Sequence, residues 1–111
     1  PDQKRIKGAI YTEKEREQLV SNFLTDAYEK LNMTPEVQDK YTETLYDTYN
    51  KMLALRQNRN LTKREAKNES KKVFKGQENK LKEILTPEQH QKHDVLFQPI
   101  QKSVFFRIDN Y

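Results

Sequence analysis

The chain has 111 residues, of which 33% are hydrophobic and 34% charged, with a formal net charge of +4, two glycines, four prolines and no cysteine. That length allows one domain or half of an obligate pair, and so polar a chain is not expected to close a thick private core. The absence of cysteine excludes a disulfide framework, a thiol nucleophile and a thiolate zinc site, and no run of ~18 apolar residues could span a membrane.

Residues 1–11 read as a flexible basic lead-in carrying Lys4, Arg5 and Lys7, and residues 12–111 as a single helical domain. Four threonines mark helix starts. Threonine accepts hydrogen bonds from the orphan amides of a first turn, proline beside it loses no needed donor, and Glu or Gln at the third helical position can reach back to the cap. Thr12 opens a helix over 12–31, with Leu19, Val20, Phe23, Leu24, Ala27, Tyr28 and Leu31 on one stripe. Thr34 and Pro35 open the second, 34–57, whose stripe runs through Val37, Tyr41, Leu45, Tyr49, Met52 and Leu55 and fades in the polar run 57–60. Thr62, in Thr-x-x-Glu, opens the third over 62–84, where Ala66, Ser70, Val73, Phe74, Gln77, Leu81 and Ile84 align. Thr86 and Pro87, with Gln89 at the return position, stop the third helix and start the fourth, 86–106, almost without a loop. Leu96, Phe97, Ile100 and Val104 form its stripe, and Pro99 predicts a kink or an end near Gln98. The fold class is all-α: four helices in an extended helical-hairpin arrangement, with a core expected to be shared in a dimer.

The charge is segregated. Residues 1–10 carry +2, 11–50 carry −5, 51–82 carry +8 and 83–111 carry −1. Lys63, Lys67, Lys71 and Lys75 form a row at four-residue spacing, a repulsion of only a few tenths of a kcal/mol per pair. Such a block suits a solvated face that complements the acidic helices, or a positive surface that attracts acidic and unfolded protein segments. Nucleic acid is not an expected partner, because no recognition-helix turn, RNA-binding aromatic signature or phosphate loop accompanies the lysines. Tyr46, Met52 and Leu53 broaden the apolar surface of the second helix beyond one contact, which predicts either a dimer face or a client-binding face.

Chemistry has few candidates. His90 and His93 lie one helical turn apart, with Asp94 four residues after His90, but zinc would need a further ligand that no accompanying motif supplies. The pair therefore reads as two surface histidines beside a cap, and no metal, cofactor or catalytic residue is expected.

Lys82-Glu83-Ile84 followed by Leu85-Thr86-Pro87-Glu88-Gln89, with Leu31-Asn32-Met33-Thr34-Pro35-Glu36 some fifty residues earlier, resembles the LTxxQ-motif family of bacterial periplasmic proteins, the Spy- and CpxP-like proteins. The resemblance spans roughly 20–98 and departs from the pattern at Met33, at Val37 and in the tail after Pro99. It implies a periplasmic or secreted protein whose signal peptide has been removed. It also implies a curved antiparallel homodimer that binds unfolded or partly folded clients without ATP. The residues expected to attract clients are Arg56, Arg59, Lys63, Lys67, Lys71, Lys72 and Lys75, with Tyr46, Met52 and Leu53 holding them. The alternatives are an envelope-stress regulator bound to one folded sensor partner, and a metal-binding stress protein built on His90, His93 and Asp94.

Overall fold

The computed structural model describes residues 13–110. The lead-in, the Thr12 cap and Tyr111 lie outside them. Four helices account for nearly all of the described chain: α1 (Glu13–Leu31), α2 (Pro35–Gln57), α3 (Lys63–Ile84) and α4 (Pro87–Asp109).

The caps explain where these helices begin. Thr34, Thr62 and Thr86 all have extended backbone, and each side-chain oxygen accepts from the amide three residues on. At Thr62 and Thr86 the box is reciprocal, since Glu65 and Gln89 each accept the cap's own amide at 3.0 Å. At Thr34 it is not. Val37 has no acceptor to return, and the bond to its amide is longer, 3.3 Å. Helix α1 stops at Asn32, whose φ of 52° is the left-handed conformation that asparagine tolerates better than most residues.

Helix α4 decides between the two outcomes expected at Pro99: it does not end there but continues to Asp109. The amide that proline lacks would have bonded the carbonyl of Val95, a residue 70% exposed, so water can replace that bond. The turns beyond Pro99 are held from outside. Phe105 packs edge-on against Phe74 with centroids 5.8 Å apart, and Asp109 accepts from Lys67 at 2.6 Å through its carboxylate and from Lys63 at 3.2 Å through its carbonyl.

Contacts between helix ends fix the topology. Tyr28, near the end of α1, shares a hydrogen bond with Thr42, near the start of α2, and Asp109 at the end of α4 meets Lys63 and Lys67 at the start of α3. Gln89, in the first turn of α4, donates to the carbonyl of Leu31 at 3.2 Å. Each helix thus runs antiparallel to the next, and α4 returns against α1 in an up-and-down arrangement. The molecule measures 47 × 26 × 19 Å. A 23-residue helix is only about 34 Å long, so the helices are staggered along the axis.

The core draws on all four helices of the one chain: Leu24, Ala27 and Leu31 from α1, Tyr41 and Leu45 from α2, Phe74 and Leu81 from α3, Phe97 from α4, and Leu85 at the α3–α4 corner. Polar residues complete it, since Thr44, Thr48, Ser70, Gln77 and His93 are also buried. Thr44 shows how a hydroxyl is accommodated there, by donating to the Lys40 carbonyl one turn earlier at 2.8 Å. Two stripe positions are exposed: Leu19 at 50% and Ile100 at 36%.

Two stability changes follow. Gln89→Ala removes both the return bond to Thr86 and the bond to α1, and is expected to lower the unfolding free energy by about 1–2 kcal/mol, more than Glu65→Ala at the exposed Thr62 box. Gly76 is exposed within α3, and a Cβ there would meet nothing within 4 Å. Gly76→Ala is expected to raise stability by about 0.5–1 kcal/mol. Urea titration of the three variants checks both.

Candidate functional site

The residues expected to bind clients fall on two flanks of the α2–α3 hairpin. Thr42, Tyr46, Tyr49, Leu53 and Arg56 recur at three- and four-residue spacing, so they share one flank of α2, and the Tyr28–Thr42 bond shows that this flank turns toward α1. Helix α1 packs mainly on α4 and touches α2 far less, so their seam opens beyond that bond. Tyr46 is 43% exposed there, with its ring edge-on to Tyr49 at 6.4 Å. Leu53 and Arg56 are half-buried, and Met52 packs partly against the core.

The lysines and Arg59 lie elsewhere. Lys63 and Lys67 hold the end of α4 through Asp109, which places their row on the flank of α3 that turns toward α4. Lys72 pairs with Glu69 at 2.9 Å. Lys71 and Lys75 are exposed and have no carboxylate partner among the described residues, and Arg59 is exposed in the turn between α2 and α3. Sequence reasoning grouped these cations with Tyr46 and Leu53. The fold separates them, because whether a flank faces α1 or α4 depends on how the helices close.

The histidines require a correction. His93 is a core residue, 3% exposed, rather than a surface one. It lies four residues before Phe97 on the inward stripe of α4, and that spacing was the available signal. Its Nδ1 is 2.7 Å from the hydroxyl of Tyr41, a residue wholly shielded from solvent, and the Phe97 ring stacks on it at 5.3 Å while Phe23 of α1 meets it edge-on at 6.3 Å. One imidazole thus touches aromatic residues from three helices. His90 is turned instead to Asp94, with Nδ1 3.3 Å from the carboxylate. Among the described residues no group of three or more His, Asp or Glu side chains is arranged to hold a metal ion. No family model, curated protein or solved structure matches this chain.

The Tyr41–His93 pair is held in its neutral form. Burial pushes His93 down to about 4, with His90 adding a smaller push. Burial, and secondarily the Tyr28 phenol, raises Tyr41 above its ordinary range, so its hydroxyl keeps its proton. Above about pH 6.5 His93 is neutral in both the folded and the unfolded chain. Between 6.5 and about 4 the unfolded chain gains a proton that the folded chain does not, so stability falls as the pH falls across that window. The loss is on the order of 3 kcal/mol by pH 4. Urea unfolding at pH 7 and pH 4.5 is expected to show a much smaller difference for His93→Gln than for the parent. An undiminished difference would assign the acid sensitivity to the carboxylates.

Proposed function

We propose that the chain is an ATP-independent, chaperone-like protein that holds unfolded or partly folded clients in the periplasm or outside the cell, and that it works as a homodimer. The observation that carries this reading is the half-open α1–α2 seam, where α2 offers Tyr46, Tyr49 and Leu53 on a flank that α1 leaves incompletely covered. A surface of half-exposed aromatic and aliphatic groups suits clients defined by exposed apolar residues rather than by shape.

Two further features support it. Lys71 and Lys75 supply uncompensated positive charge for attracting acidic segments at long range, and long-range steering does not require them to border the seam. The two Thr-Pro-Glu phrases that resemble the Spy/CpxP-like LTxxQ-motif family also meet at one end of the fold, where Gln89 of the second bonds the carbonyl of Leu31 just before the first. In this mechanism capture is electrostatic and sensitive to salt, whereas holding is apolar and far less so.

Light scattering from a denatured client diluted into buffer tests the reading. The parent is expected to suppress aggregation near stoichiometric ratio. Tyr46→Ser combined with Leu53→Ser is expected to raise the amount required several-fold at any salt concentration, whereas Lys71→Glu with Lys75→Glu slows capture at low salt only. No suppression by excess parent protein would refute the proposal.

A further inference from the structure

One solvent-facing flank of α4 borders α3. Asp109 accepts from Lys67 there, and Phe106, Lys102 and Val95 precede Asp109 by three, seven and fourteen residues, so the four share that flank. Phe106 is 66% exposed and Val95 70%, the most exposed large hydrophobic side chains among the described residues. On α3, Arg64 lies three residues before Lys67, and Lys71, Lys75 and Lys82 lie four, eight and fifteen after it, so these cations share the flank that faces α4. The Lys67–Asp109 pair at 2.6 Å sets the two rows side by side.

Positive charge dominates this face. Its carboxylates are already engaged: Asp109 by Lys67, Glu78 by Lys82 at 3.8 Å and Asp94 by His90 at 3.3 Å. Arg64, Lys71, Lys75 and Lys102 are exposed and have no carboxylate partner among the described residues.

A partner must therefore be negative across the whole face and must also accept apolar groups. Val95 and Phe106 are eleven residues apart, about 16 Å along α4, with Lys102 between them. They stand as separate projections rather than as the continuous apolar centre of a protein interface. A nucleic-acid backbone could pair with the cations but gains nothing from an aliphatic side chain. A bilayer with anionic headgroups meets both needs, since phosphates lie level with the ammonium groups and the acyl boundary lies a few ångströms deeper. Long lysine and arginine stems can keep their charges among the headgroups while the shorter apolar side chains enter beneath them.

We propose that the outer α3–α4 face docks on an anionic lipid surface, with Arg64, Lys71, Lys75 and Lys102 at the headgroup phosphates and Phe106 and Val95 in the interface below. Helix α1 packs on α4 and α2 on α3, so the α1–α2 seam lies on the opposite side of the molecule and stays open to solvent. This binding goes beyond client holding and does not depend on it, although Lys71 and Lys75 serve in both.

The chain has no tryptophan, so one introduced at a single position reports its own surroundings. Phe106→Trp is mixed with vesicles of equal parts phosphatidylglycerol and phosphatidylcholine, and separately with vesicles of phosphatidylcholine alone. Its emission is expected to move to shorter wavelength on the anionic vesicles only, and less so as salt rises, while Tyr46→Trp in the seam is expected to move on neither. In cosedimentation, Lys71→Glu with Lys75→Glu is expected to weaken binding to the anionic vesicles at least tenfold. Val95→Ser with Phe106→Ser is expected to weaken it several-fold and to leave the suppression of client aggregation as it was. No binding to anionic vesicles, equal binding to neutral ones, or a serine pair that binds like the parent would overturn the proposal. In the last case, binding of an oligothymidylate as tight as that of the vesicles would mark the face as a general polyanion surface instead.

Discussion

The hydrogen bond between the Tyr41 hydroxyl and His93 Nδ1 is the constraint around which the bundle is arranged. A chain that is only 33% hydrophobic must place polar groups in its interior, and each must find a partner there or destabilise the fold. Tyrosine presents a broad apolar ring with one hydroxyl to satisfy, and histidine a flat ring whose Nδ1 can meet it. Joining those two points across α2 and α4 turns two amphipathic residues into one large apolar unit. Phe23, Phe97, Phe74 and Phe105 then continue from it in successive edge-to-face contacts with centroids 5.7–5.8 Å apart. An aromatic chain is thus threaded through a bundle interior otherwise filled by leucine and alanine.

Legibility from sequence followed the range of the interaction. Thr34, Thr62 and Thr86 were readable because capping is decided within four residues, and the starts of α2, α3 and α4 fall immediately after them. The inward positions of α3 were readable too, including buried Ser70 and Gln77, because periodicity does not depend on residue type. The same logic, applied four residues before Phe97, would have placed His93 inside, but a histidine between polar neighbours reads as a surface residue until its partner is seen. Pro99 left a kink or an end open for a related reason. Local chemistry predicts a break there, and only packing of the following turns on α3 shows that the helix is restored.

The candidate binding surface was the least legible part. Tyr46 and Leu53 read as exceeding one contact stripe, but a helix with two apolar edges does not say which neighbour it lacks. Nor does a lysine row reveal its partners. Lys63 and Lys67 are spaced like Lys71 and Lys75, and only the arrival of Asp109, more than forty residues later, divides the row into an anchoring half and a free half.

The bond from Gln89 to Leu31 joins residues 58 apart in sequence, whereas each of the three corners joins helices that follow one another. Docking α4 on α1 is therefore the step with the largest loop to close, and the closure entropy rises with the length of chain enclosed. The α2–α3 hairpin and the α3–α4 corner can form from contacts that are near in sequence, as expected of a fast-folding helical topology. Helix α1 packs mainly on α4 and only loosely on α2, so the share of the core that it supplies, Leu24, Ala27 and Leu31, depends on that sequence-distant docking. Phe23 of α1 is also what stands edge-on over His93, so that same docking keeps the Tyr41–His93 pair from water while the Thr62 and Thr86 boxes, being local, do not depend on it.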